Sequence, residues 1–293
     1  MRKGLLLILI VMLAVVTAAC GSSDDSSDGN NSNKDKSSAS SKWSSLKEKG
    51  KIVVGTSGTL FPASYHPEDS DQLTGYDVEV MKEAASRLDL DVEFKEYGVD
   101  GLLAAMKSGR IDAVINDMEV TKDRQKEFAF STPYKYSYST MIVRQSDLSG
   151  IHSLEDLDGK VHGGGATTVF SKIAEHFGAK TKTYGNVTND VYLRDVENGR
   201  TDFIINDYYL QTLALKAMPD IKVQLHPDLK FHQTESAIVM PKDADTLKQK
   251  IDATIKEMRD DGTLTKISKK FFGGKDASKK PEEDIREIKG LDL

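Results

Sequence analysis

The run GRIDAVINDMEVTKDRQKEFAFSTPY, residues 109–134, decides how the rest of the chain is read. Ile111 to Ile115 is apolar except for Asp112 and predicts a strand. Asn116-Asp117-Met118-Glu119-Val120-Thr121 is a polar run at that strand's carboxyl end. Thr121 is a good N-cap, and Asp123 stands in the first turn of the helix that follows, where negative charge suits the helix dipole. Phe128 to Tyr134 is a second extended run, halted at Pro133. Open α/β sheets bind ligands outside the carboxyl ends of their strands. Asn116 to Thr121 and Arg124 fall there, and a guanidinium on a rigid element can grip a carboxylate through two parallel hydrogen bonds.

Upstream, Trp43 to Lys49 predicts a short helix, Lys51 to Gly55 a strand, and Val78 to Leu88 a helix with Val80, Ala84, Ala85 and Leu88 on one face. Asp91 to Tyr97 alternates like a strand, and Leu102 to Ser108 is a helix stopped by Gly109. The order βαβαβ predicts a parallel sheet with helices on its faces. Downstream, GRTDFIIND, residues 199–207, echoes GRIDAVIND, residues 109–117. Two halves of the chain thus present similar strand ends, Asn116-Asp117 and Asn206-Asp207, to a shared cleft. Between them, Gly163-Gly-Gly-Ala-Thr-Thr168 precedes a helix from Thr168 to Phe177, whose free N–H groups attract an anion. The loop lacks the terminal Gly-Lys-Ser/Thr of a phosphate loop. A final amphipathic helix, Leu247 to Asp261, puts Ile251, Ile255 and Met258 on one face.

The pattern formed by Gly109, Ile111, Asp112, Thr121, Arg124, Phe130-Ser131 and Pro133-Tyr134 resembles family 3 of the extracellular solute-binding proteins, the receptors of polar amino-acid ABC importers. The likeness extends from about Ile52 to Phe272. It implies a two-lobed α/β fold of the type II periplasmic-binding-protein kind, each lobe a mixed, mostly parallel sheet flanked by helices. Lobe one would span 43–137 and 235–275, lobe two 138–234, with hinge strands near Lys135–Ser139 and His232–Ser236. A charged, Pro-broken tail over 276–293 would attach loosely. The resemblance also implies site roles. Arg124 clamps the ligand's α-carboxylate, Thr167 and Thr168 bond it from the second lobe, and Asp207 pairs with the ammonium. Asn116 and Asp117 stand at the strand end, Asp117 through its backbone carbonyl. Other sequence features set this chain apart from the family pattern. Ser57 and Leu60 stand where the family carries an acidic residue and a tyrosine, which leaves Phe61 or Tyr65 as candidates to supply a ring. Ala166 replaces a glycine. Glu119 replaces the usual Ser or Thr and adds a negative charge to the pocket. A buried unpaired charge is costly, so the ligand should carry an extra cationic group, as a basic amino acid or cystine does. The Asn-Asp strand end points weakly to the cystine-type branch.

The chain of 293 residues carries 29% charged residues and a net charge of −6, which argues against nucleic acid as a partner. Arg2-Lys3, an uncharged run from Leu5 to Val16 and Thr17-Ala-Ala-Cys20 predict a signal peptide over 1–19. Cys20, the single cysteine, resembles the lipidated residue of a bacterial lipobox, although Thr17 departs from the usual leucine there. Residues 20–42 then form a lipid-anchored disordered tether, and the protein sits on the outer face of the cytoplasmic membrane. The expected partners are an amino acid, a permease and its ATPase, with the binding protein itself a monomer. The histidines show no metal spacing, there is no nucleophile motif, and no cofactor is called for. Two competing classes remain. One is a cyclohexadienyl-dehydratase-like enzyme using Glu119 as an acid. The other is a ligand sensor.

Overall fold

The computed structural model describes residues 42–291; the signal peptide, Cys20 and nearly all of the expected tether lie outside them. Residues 42–49 form helix α1. The chain then runs β1 (Lys51–Thr56), β2 (Thr59–Leu60), β3 (Ser64–Tyr65), α2 (Tyr76–Arg87), β4 (Asp91–Glu96), α3 (Leu102–Lys107), β5 (Ala113–Val114), α4 (Lys122–Glu127) and β6 (Phe128–Phe130). The second half comprises β7 (Lys135–Arg144), β8 (Val161–Gly164), α5 (Val169–His176), β9 (Lys180–Thr183), α6 (Asn189–Glu197), β10 (Ile204–Asp207) and α7 (Tyr208–Ala217). It closes with β11 (Val223–Leu225), β12 (Phe231–Ser236), β13 (Val239–Pro241), α8 (Asp245–Asp260) and α9 (Thr263–Phe271).

The first lobe is a five-stranded sheet in the order β4-β1-β5-β13-β6. β1 pairs parallel with β4 and β5, while β13 returns from the far half to pair antiparallel with β5 and β6. Alternation along the strands fills both faces. Ile52, Val54, Ala113 and Ile115 pack in the core that holds Val80, Ala84 and Ala85 of α2, and Ile251 and Ile255 of α8. Val114 points the other way, against Leu102 and Met106 of α3. Helix α2 begins two residues before the periodicity suggests. Its N-cap, Gly75, has φ 129°, and a Cβ there would lie 2.2 Å from the Ala63 carbonyl oxygen, so the close approach requires glycine.

In the second lobe β7 accepts antiparallel neighbours on both sides, β10 and β11. Met141 and Val143 face the core beneath α5, and Ile142 faces Leu193 and Val196 of α6. The two Gly-Arg-x-Asp segments do the same structural work in each lobe. The Asp112 amide donates to the Val53 carbonyl at 2.7 Å, and its carboxylate accepts from the Val53 amide at 2.8 Å. Asp202 makes the same pair of bonds to Val161, at 2.7 and 2.9 Å. Each aspartate thus mimics one rung of a β-ladder and starts its strand in register, so the echo in sequence is an echo in structure.

Two strands cross between the lobes. The first half of β7 pairs antiparallel with β12, Lys135 opposite Ser236 and Tyr138 opposite Gln233, while the second half belongs to the second lobe's sheet. The tail departs from the loose attachment expected of it. The Tyr136 amide donates to the Ala277 carbonyl at 2.7 Å, Lys280 pairs with Glu235 at 2.9 Å, and Arg286 forms a parallel bridge with Phe231. Ile288 and Leu291 pack on the second lobe's core. The tail therefore runs from α9 across both crossing strands to the other lobe. Charge and Pro281 hid this, because three or four spaced apolar residues suffice to anchor a segment that shows no periodicity.

Candidate ligand-binding site

A cleft of about 1050 Å³, its open mouth included, separates the lobes. Asn116, Asp117, Glu119 and Arg124 line it from the first lobe; Thr168, Asn206 and Gln211 line it from the second, together with Tyr184 and Tyr192. Thr121 caps α4 by accepting from the Arg124 amide at 3.2 Å, which fixes Arg124 in the first turn. The Arg124 guanidinium donates to the Glu119 carbonyl at 3.0 Å and reaches across to the Thr167 carbonyl at 3.4 Å. Burial lowers its pKa and the Glu119 charge opposes that shift; an arginine stays protonated regardless.

Beneath the cleft lies a node the sequence reading did not foresee. Lys135, wholly buried at the start of β7, sits 2.9 Å from Asp117 and 2.5 Å from Asp207. The terminal aspartates of the two echoed segments thus meet on one ammonium at the hinge. Burial lowers its pKa, but Asp117 and Asp207 outweigh that and raise it. Asp77, also fully buried, accepts from the Asp117 amide at 2.5 Å. Burial and the facing Asp117 push the Asp77 carboxyl up to about 8. Burial likewise raises Asp207, and Lys135 works against that.

The sequence-derived residues divide into those at the cleft and those behind it. Arg124, Glu119, Asp117, Asn116 and Thr168 line it. Asp207 does not: its Oδ1 caps α7 by accepting from the Leu210 amide at 3.0 Å, and its Oδ2 takes Lys135. A residue that ends a strand and starts a helix has that capping role open to it locally, and the lysine claims the other oxygen. Thr168 lines the cleft and caps α5, while Thr167 gives its amide and hydroxyl to Asp100 of the first lobe, at 2.9 and 2.6 Å. Ser57 is buried behind the wall, its amide donating to Asn116 at 2.8 Å. Phe61 packs edge-on against Tyr65 with ring centroids 4.8 Å apart, and Leu60 takes the place at the cleft. His162, beside the glycine loop, is buried against Phe203, and burial lowers its pKa to about 4, so it is a neutral core residue. Among the described residues no group of three or more His, Cys, Asp or Glu is placed to hold a metal.

Two lobes, two crossing strands and a charged cleft between them define a bilobal binding protein of the type II periplasmic class. Residues 52–274 match the family of bacterial extracellular solute-binding proteins, family 3, and the chain belongs to it. It is 55% identical over 253 residues to the probable ABC transporter extracellular-binding protein YckB of Bacillus subtilis (strain 168), covering 86% of this chain and 88% of that one. The crystal structure of YckB superposes with a TM-score of 0.68 at 57% identity, covering 84% of this chain and 99% of that one. The L-cystine-binding protein TcyA of the same organism is 36% identical over 81% of this chain and 86% of its own. The arginine-binding extracellular protein ArtP, again from that organism, is 32% identical over 80% and 91%. This chain is therefore an extracellular solute-binding component of an amino-acid ABC importer. No helix among the described residues is long and apolar enough to cross a membrane.

Proposed function

We propose that this protein captures an amino acid bearing a cationic group beyond its α-ammonium, by closing its two lobes on it, and delivers it to a membrane permease. The observation that carries this is the charge inventory. Arg124 and Lys135 stand against Glu119, Asp117 and Asp207; His232 meets Glu119 Oε1 at 2.6 Å, and among the described residues nothing meets the buried Oε2, so the cleft keeps an unfilled acceptor on a carboxylate. A ligand with only a zwitterionic head, its carboxylate on Arg124, leaves that acceptor unmet in a desolvated cleft. Arginine or lysine supplies a cationic donor for it. Cystine supplies a second ammonium, provided its second carboxylate reaches solvent at the cleft mouth. In this reading Arg124 holds the α-carboxylate, Thr168 approaches it from the second lobe, and Glu119 accepts from a ligand cation. Asp207 contributes its charge through Lys135. Cys20 carries the lipid that holds the mature, monomeric protein at the outer face of the membrane.

The protein binds without turnover; family membership supports this, and product formation from prephenate or arogenate would overturn it. Calorimetric titration with arginine, lysine, cystine and glutamine tests the ligand class. Glutamine is expected to bind at least about tenfold more weakly than the best of the other three, the equivalent of ~1.4 kcal/mol. Tightest binding to glutamine would reject the charge argument.

A further inference from the structure

Glu119 is held by more than the cleft wall. The Val120 amide donates to the Glu235 carbonyl at 2.9 Å, and the Ala237 amide to the Met118 carbonyl at 3.0 Å. This short antiparallel pairing with the returning crossing strand brackets Glu119 opposite Ser236. The Glu119 side chain is nine-tenths buried. Its Oε1 accepts from His232 Nε2 at 2.6 Å, and its Oε2, also buried, has no hydrogen-bond partner among the described residues. A carboxylate oxygen shut away from water with no donor is a cost that native structures rarely carry without a reason.

His232 is the second anomaly. It has φ 52°, in the left-handed region, and it sits where the pairing of β12 with β7 slips between Phe231 and Gln233. The slip places one extra residue in β12, and such a bulge re-aims a side chain. A non-glycine residue in that region is strained, and such strain gathers where geometry serves a site. The His232 amide is tied to the Arg286 carbonyl at 2.9 Å, so the docked tail holds the bulge in place.

We propose that His232 is a specificity-determining positioning residue. It occupies Glu119 Oε1 and so leaves Oε2 as the acceptor for the cationic group of the ligand. The inference rests on the ligand class argued above. Unrestrained, the Glu119 side chain has three rotatable bonds and could fold toward Arg124, cancelling the charge the ligand is meant to meet. With His232 in place, Arg124 meets Glu119 at its carbonyl and not at its carboxylate, and the guanidinium stays open to a ligand carboxylate. One residue therefore keeps the anion and cation receptors of the cleft apart.

The test compares the affinities of wild type, His232→Leu, His232→Gln and Glu119→Gln for the best cation-bearing ligand of the titration and for glutamine, with thermal melts alongside. His232→Leu is expected to lose about tenfold or more of the preference over glutamine, while His232→Gln, which can donate from a similar position, keeps it within about threefold. Adding Glu119→Gln to His232→Leu should cost no further preference, because the two act as one unit. An unchanged preference in His232→Leu, an equal loss for both ligands, or additive effects would overturn the inference. If His232→Leu does not fold, the comparison of Glu119→Gln with His232→Gln decides: equal losses of preference refute the role of His232 as a donor-dependent aligner. Failure of wild type to bind any amino acid would instead strike the functional reading itself, and the inference with it.

Discussion

Arg124→Ala is expected to lower amino-acid affinity by about a hundredfold or more, on the order of 3 kcal/mol, while leaving the fold intact. Among the described residues the guanidinium makes two hydrogen bonds to protein, to the Glu119 carbonyl at 3.0 Å and the Thr167 carbonyl at 3.4 Å. Neither belongs to a core. Its loss should therefore move the melting temperature by only a few degrees, since ~1 kcal/mol corresponds to about 2–4 °C in a chain of this size. Arg124→Lys keeps the charge and forfeits the fork, and should recover part of the affinity. Calorimetry and a thermal melt check both; unchanged affinity in Arg124→Ala would remove it from the site.

The second large effect concerns the hinge. Lys135→Met leaves Asp117 and Asp207 buried against each other with no cation between them. Removing one partner of a buried charge cluster costs about 3–5 kcal/mol, so the melting temperature should fall by roughly 10 °C. Adding Asp207→Asn should restore much of the loss. Asparagine can still cap α7, which Asp207 does through the Leu210 amide, and one uncompensated charge is gone. A Lys135→Met variant melting within about 2 °C of wild type would mean that the node contributes little. So would a double variant no better than the single one.

Most of the fold was legible because periodicity and punctuation agree. Ile52, Val54, Ala113 and Ile115 alternate with Val53 and Val114 between two cores, as a sheet covered on both faces demands. The Gly-Arg-x-Asp echo marked the two lobes, and its aspartates share a bonding pattern that sequence identity alone hinted at. The site was legible only as far as the local segment dictates it. Arg124 follows from the Thr121 cap and a helix register that cannot slip. Asp207 could not be placed from its own neighbourhood, since its partner Lys135 lies 72 positions away. The signal for Lys135 was present in part: one lysine opens a Tyr/Ser-rich strand that carries no other charge until Arg144. His232 left no such mark, because a positive φ at a register slip is a property of two strands meeting, not of either sequence.

The claim on which the account stands is that Arg124 and Glu119 divide a cation-bearing amino acid between them inside the closed cleft. The direct measurement is a crystal structure of the protein with whichever of arginine, lysine or cystine binds most tightly. It should show the α-carboxylate within hydrogen-bond distance of the Arg124 guanidinium and a ligand nitrogen on Glu119 Oε2, with His232 still on Oε1. A ligand whose carboxylate lies away from Arg124, or whose cationic group meets Asp207 while Glu119 stays turned from it, would contradict the account.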